Sequence, residues 1–303
     1  MGGCAILKKV FCLINFRGYF MKKIVTILTV LLISYITLLS QAPNVEGFVP
    51  LRVTYNSVKI IDENTFIAAG TNGAVIISKD GGKTWNRRYL ENGENIVDIE
   101  IFNNEIFLLC NDGKLYKSND LGKTFTLLYI LENAKPNSIS INKKGYGVIA
   151  CDSSKLFFTT DGGNIWSENS IIETINIQKA IIDNNNHIYI CILGGVLEFK
   201  FGEVGYSFYG TPKNCNNCYP INPQMIDDNY YILFNGELLK KTFSKDFVKV
   251  CEVDSMTNYQ IINDSTIIFL KKTRWSLFDV YEYNTNKEEL VKIGDYSNIF
   301  LID

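Results

Sequence analysis

Few of the side chains in this sequence are of the types that usually carry out chemistry. The 303 residues include one histidine and eight cysteines. Any catalytic triad or imidazole metal site would have to use His187. It opens a strand-like run after Asn184-Asn185-Asn186, where a lone solvated histidine is the simpler reading. Cys110 and Cys151 close the second strand-like run of successive units and Cys191 falls near the equivalent place, so these three read as small buried residues. Cys215-Asn216-Asn217-Cys218 is different. In an exported chain the first reading is a disulfide between Cys215 and Cys218 and the second is a redox-active pair. Half of a metal site comes third, because no second close pair exists. Gly194-Gly195 joins two strand-like runs instead of opening a helix, and no phosphate-cradling glycine loop is visible. The expectation is therefore no catalytic residue, no cofactor and no metal. Carboxylate-pair chemistry stays open, since the separation of 32 acidic residues in space cannot be read from their order.

The strongest pattern is a turn that recurs. Ser78-Lys79-Asp80-Gly81-Gly82-Lys83-Thr84-Trp85 is followed 40 residues later by Ser118-Asn119-Asp120-Leu121-Gly122-Lys123-Thr124-Phe125. Thr159-Thr160-Asp161-Gly162-Gly163-Asn164-Ile165-Trp166 follows 41 residues after that. Such a period marks a repeat architecture. Each box lies between two strand-like runs and so reads as a hairpin turn, with Asp80, Asp120 and Asp161 accepting backbone N–H groups. Gly82, Gly122 and Gly163 permit positive φ. Ser78, Ser118, Thr159, Thr84 and Thr124 add hydroxyl bonds, and Trp85, Phe125 and Trp166 offer apolar area to a neighbouring sheet. Ile165 stands where the first two boxes have threonine, so the third turn is expected to be the loosest.

These residues resemble the Asp-box, or bacterial neuraminidase repeat, of β-propellers. Their blade pattern over roughly residues 50–300 is similar to that of the photosystem II assembly and stability factors. The resemblance implies a propeller with boxes on its outer hairpins, away from the ligand face, and a non-enzymatic character. It says nothing about which partner is bound. Sialidases share the box, and they imply a rival reading as a glycan-acting enzyme. As a family they use three arginines and an arginine-isoleucine-proline motif. After the first 42 residues this chain has only Arg52, Arg87, Arg88 and Arg274, and Phe48-Val49-Pro50-Leu51-Arg52 does not reproduce the motif.

The elements around the boxes repeat as four short strands, seen first as Val58 to Ile61, Thr65 to Ala69, Ala74 to Ile77 and Trp85 to Leu90. Asn- and Gly-containing turns punctuate them. Three such copies carry a box and three more keep the rhythm without it. A last run, Asn298 to Ile302, looks like the first strand of another copy. The fold class is all-β, a β-propeller of four-stranded antiparallel blades, six or seven in number, with the two termini expected to share one sheet.

Residues 1–42 hold five basic residues and no acidic ones. Met21-Lys22-Lys23, the 16-residue apolar run from Ile24 to Leu39 and Ser40-Gln41-Ala42 read as a secretory signal, with Met21 as the true start. The remaining 43–303 form a single domain. The run is short for a membrane span, so a membrane enters only if the signal stays as an anchor. Neither Cys4 nor Cys12 sits behind a lipobox. Without residues 1–42 the chain has 25 basic and 32 acidic residues, a formal net charge of −7, which excludes nucleic acid as a natural partner. The expected product is exported, to the periplasm, the cell surface or the medium, and binds a protein or a glycan. The long connection Gly210 to Pro223, flanked by Tyr209 and Tyr219, makes the face opposite the boxes near the fourth and fifth copies the expected docking place.

Overall fold

The computed structural model describes residues 37–39, 52–169, 176–203, 205–210, 220–226, 229–234, 236–242, 246–253, 256–263, 265–274 and 277–296. They form six sheets arranged as the blades of a β-propeller, and each sheet uses consecutive strands paired antiparallel. Blade 1 begins with β1 (Thr37–Leu39), β2 (Arg52–Ile60), β3 (Phe66–Gly70), β4 (Ala74–Ser78) and β5 (Asn86–Tyr89). Blade 2 holds β6 (Ile96–Phe102), β7 (Glu105–Cys110), β8 (Lys114–Ser118) and β9 (Thr126–Ile130). Blade 3 holds β10 (Pro136–Ile141), β11 (Gly147–Cys151), β12 (Leu156–Thr159) and β13 (Ser167–Asn169). Blade 4 holds β14 (Ile177–Ile182), β15 (His187–Ile192), β16 (Gly195–Lys200) and β17 (Ser207–Gly210). Blade 5 holds β18 (Ile221–Ile226), β19 (Asn229–Phe234), β20 (Glu237–Thr242) and β21 (Val248–Glu252). Blade 6 holds β22 (Met256–Asn263), β23 (Thr266–Arg274), β24 (Leu277–Asn284) and β25 (Glu289–Tyr296).

The blade number is six. Every blade has its own first strand, so no described sheet combines N-terminal with C-terminal strands, and the run 298–302 lies outside the described residues. The extra strand β1 comes from the stretch read as the signal and pairs with β2, Thr37 opposite Thr54 and Leu39 opposite Arg52. The long connection is shorter than the sequence suggests. Gly210 ends β17, while Ile221, Asn222 and Pro223 open β18, where a register shift between Ile221 and Gln224 accommodates a proline that cannot donate to a ladder.

The apolar cores lie between blades. The second strand of each blade is buried on both faces, and its alternate side chains enter different cores. On β7, Ile106, Leu108 and Cys110 pack with blade 1, while Phe107 and Leu109 pack with blade 3. On β15, Ile188, Ile190 and Ile192 face blade 3, and Tyr189 and Cys191 face blade 5. Burial on two faces is why these strands read as unbroken apolar runs and not as alternating ones. Cys110, Cys151 and Cys191 are buried thiols as expected, and so is Cys251 on β21. Burial pushes the Cys151, Cys191 and Cys251 thiols up to about 12, which makes them inert.

Candidate functional site

The three boxes close their turns with the same bonds. The Ser78 hydroxyl donates to Asp80 Oδ1 at 2.9 Å and accepts the Gly82 N–H at 2.8 Å. Thr84 donates its N–H and its hydroxyl to the Asp80 carboxylate at 2.8 and 2.7 Å. Ser118, Asp120, Gly122 and Thr124 repeat the set at 2.7, 2.9, 2.9 and 2.7 Å. In the third box Thr159 makes the same two bonds, and Asp161 accepts the N–H groups of both Asn164 and Ile165 at 3.0 Å. The carboxylate therefore still has three donors. Both of these N–H groups go to Oδ1, so Asp161 Oδ2 lacks the threonine hydroxyl that Asp80 and Asp120 receive, which is the difference Ile165 makes.

The boxes also join blades. Gly122 packs so closely on Ile77 of β4, and Gly162 on Phe102 of β6, that a Cβ at either position would push that side chain aside. Tyr129 of β9 donates to the Trp166 carbonyl at 2.9 Å, and Lys117 of β8 to Asn164 Oδ1 at 3.0 Å.

A second joint runs along the innermost strands, each of which carries a register shift near its start. Here a polar side chain of one blade bonds the inner strand of the next. Asn56 Nδ2 donates to the Ile96 carbonyl at 2.8 Å, Asn137 Nδ2 to the Ile177 carbonyl at 2.7 Å and Asn222 Nδ2 to the Tyr259 carbonyl at 2.9 Å. Asp98 Oδ1 accepts from Ser57, and its Oδ2 accepts the Ile139 N–H. Among the described residues no such side-chain bond joins β14 to β18.

Blade 4 has also lost its box, and Phe201 to Tyr206 stand in that place. At this seam two cavities of about 540 and 550 Å³ adjoin, sharing Tyr209 and Asp246. The polar cavity, on the box side, is organised around Glu198. In the β15–β16 register Glu198 lies opposite Tyr189 and diagonal to His187, and in the β16–β17 register it lies diagonal to Tyr209. His187 Nδ1 lies 2.8 Å from Glu198 Oε1, and the Tyr209 hydroxyl donates to Oε2 at 2.7 Å. Lys241 Nζ of blade 5 reaches Oε2 at 3.2 Å, with both side chains nearly covered. His187 is thus not a solvated histidine, because the diagonal pairing turns it onto Glu198.

Burial works against ionising Glu198, but His187, Tyr209 and Lys241 more than offset it and hold the carboxyl below its usual range. Burial and the bond to Glu198 push the Tyr209 hydroxyl up to about 12, so it stays protonated as a donor. The adjoining cavity is mixed in character: Phe208 and Phe247 stand over the buried side chains of Val196, Ile232 and Leu239, and Glu237 and Lys249, paired at 3.4 Å, supply its charges.

Of the residues expected to meet a partner, Tyr209 lines both cavities. Its ring packs edge-on against Phe247 at 5.2 Å and under Lys241. Tyr219 and the Cys215–Cys218 pair lie outside the described residues. Arg87 and Arg88 are exposed on the outer strand β5. The sequence reading missed Glu198, Lys241 and Asp246. Its available signals were the missing fourth box and charges set inside the apolar runs of β16 and β20.

A family model described as "Photosynthesis system II assembly factor YCF48" matches residues 44–200. The chain belongs to this family. A YCF48 relative, the photosystem II assembly lipoprotein Ycf48 of Synechococcus sp. (strain CC9902), is 24% identical over 143 residues, which are 45% of this chain and 43% of that protein. The match thus spans less than half of the relative's length. Among solved structures, YCF48 bound to a D1 peptide superposes with a TM-score of 0.62 at 11% identity, covering 80% of this chain and 82% of the other. YCF48 from Cyanidioschyzon merolae gives 0.60 at 14% identity, covering 81% and 86%. A catalytically inactive virginiamycin B lyase from Staphylococcus aureus with quinupristin gives 0.64 at 11% identity, covering 79% and 84%. At these identities the likeness is one of fold, which an enzyme and an assembly factor share, so the site must decide function. The family match ends at Lys200. Tyr209, Lys241 and Asp246 of the seam therefore lie beyond it.

Proposed function

We propose that the chain is an exported, non-enzymatic propeller that binds a protein partner as an assembly factor. One observation at the site carries this reading: the buried carboxylate of the cavity, Glu198, is saturated by three donors. A general acid or base needs a proton it can exchange with a substrate, and this carboxylate is committed to holding blades 4 and 5 together. Family membership supports the same reading, since one relative is an assembly lipoprotein and another was solved with a D1 peptide. We carry to this chain the binding of a protein segment and leave the partner's identity to experiment. A glycan-acting enzyme is the reading it replaces.

Residues 43–303 are proposed as the mature domain, released by cleavage near Gln41 to Pro43 and not lipid-anchored, as no cysteine follows the apolar run there. Removing residues 1–42 takes away β1 and leaves blade 1 with the same four strands as the others. The test is capture of envelope proteins on the immobilised mature chain beside hydrolysis assays on chromogenic glycosides and sialosides. A specific, saturable protein partner with no turnover is expected. Turnover without a partner would overturn the proposal.

A further inference from the structure

The two cavities at the seam of blades 4 and 5 lie side by side, with Tyr209 and Asp246 in the walls of both, and together they mark a groove along the seam. Its charges are mostly answered from within. Lys241 pairs with Glu198, Lys200 with Glu203 and Lys249 with Glu237. Asp246 is exposed and has no opposite charge among the described residues, although it stands where the two cavities meet. Around it are aromatic rings: Tyr206, 61% exposed on the rim, with Tyr209 and Phe247 behind. A carboxylate without a counter-ion among the described residues, on a cavity rim that also carries the exposed Tyr206 ring, is complementary to a cationic side chain. The neighbouring half offers the Phe208 ring, 55% exposed, with Phe247 beside it, which suits an aliphatic side chain.

We propose, resting on the protein-binding reading above, that this groove is the docking site for an extended segment of the partner protein. The segment places an aliphatic side chain against Phe208 and a lysine or arginine against Asp246 and Tyr206. In an extended chain residues two apart point the same way, so the two anchors sit at positions i and i+2. The outer part of the seam is available for this use because the box is gone and, among the described residues, no side-chain bond laces its inner strands, while Cys191 and Tyr189 meet Tyr230 deeper in. The mature chain's excess of acidic residues favours a basic segment as well.

The probe is Gly-Leu-Gly-Lys-Gly-amide carrying fluorescein on its N-terminal amine, so that the lysine stays charged, titrated into the mature chain and followed by polarisation. The imidazole NMR signal of His187 serves as a second readout, free of assignment ambiguity because the chain has no other histidine. Saturable binding that moves this signal is expected. Affinity should fall by about tenfold or more with glutamate in place of the peptide's lysine and with Asp246→Asn, an exposed and nearly isosteric change. Tyr206→Ala should weaken binding too, and Asp120→Asn in a box should leave it unchanged. Equal binding of the glutamate peptide, an unaffected Asp246→Asn protein, or a His187 signal moved by sialyllactose and not by the peptide would overturn the assignment. Envelope capture with the same variant separates the two claims. A partner held equally well by Asp246→Asn leaves protein binding standing and removes the groove, whereas no partner for either protein removes the broader reading.

Discussion

At Asp80 three hydrogen bonds converge on one surface carboxylate, and they fix how the turn responds to acid. The Thr84 N–H, the Thr84 hydroxyl and the Ser78 hydroxyl hold its pKa down at about 2, and Asp120 is lowered by the equivalent groups of Thr124 and Ser118. A carboxyl depressed in the folded state stabilises above its unfolded value of about 3.9 and loses that contribution as pH falls through the folded value. Denaturant melts between pH 5 and pH 2 should therefore show stability falling in the acid limb, with a shallower fall for the double variant Asp80→Asn, Asp120→Asn. An unchanged limb would reject the boxes as its source. Ser118 is the more sensitive residue because it is buried, and its hydroxyl satisfies the buried Gly122 N–H. Ser118→Ala should cost about 1–3 kcal/mol in unfolding free energy, with peptide binding in the groove unaltered. Cysteine chemistry is predicted at the same scale. Alkylation of the unfolded, unreduced mature chain should label Cys110, Cys151, Cys191 and Cys251, and mass spectrometry should find Cys215 and Cys218 unlabelled because they are joined; full labelling of both would reject the pairing.

Among the elements, the second strand of each blade holds the propeller together, because its two faces feed two cores. Phe107 on β7 is fully buried between blades 2 and 3, so Phe107→Ala should destabilise by about 3–5 kcal/mol in urea denaturation, more than any change on the outer strands. These strands were also the most legible in the sequence. Glu105–Cys110 and His187–Ile192 announce themselves as apolar runs bounded by asparagine and glycine turns. The outer strands were the least legible. Ser167–Asn169 is exposed throughout and has no apolar signal, and its place is set by pairing with β12. The boxes could be read down to their bonds because their partners lie within four residues. The groove could not, since Glu198, Tyr209 and Lys241 arrive from three strands of two blades and meet only through register. Only the end of the connection, Ile221 to Pro223, departs from the loop reading, because prolines mark loops more often than bulged strands and β18 opens on such a bulge. Lys241 illustrates what register alone creates. Its ammonium is buried on Glu198, and Lys241→Ala should cost about 3–5 kcal/mol by leaving that carboxylate without its ion pair in a covered site.

Over the whole molecule the joints between blades are unequal, and this inequality has a kinetic consequence. Blades 1 to 4 are laced at their inner strands by Asn56, Ser57, Asp98, Asn137 and Ser138, and the boxes of blades 2 and 3 grip the blade before them. Between blades 4 and 5 the inner strands lack such a side-chain bond among the described residues, the box is missing, and two cavities occupy the space between the sheets. What holds this seam is the core around Tyr189, Tyr230 and Ile232 and the Glu198–Lys241 pair. Regions with fewer buried contacts open at lower free energy than the global transition. Among the five joints that run from blade 1 to blade 6, this seam should therefore open first, the place where a partner segment would enter. Native-state hydrogen exchange with rising denaturant tests this directly. Amides of β16, β17 and β20 should exchange through an opening well below the global unfolding free energy, while those of β7 and β11 exchange only with global unfolding. Saturating Leu–Lys peptide should raise the protection of the first group and leave the second unchanged. A single isotherm shared by all six blades would show that the seam is no weaker than the rest.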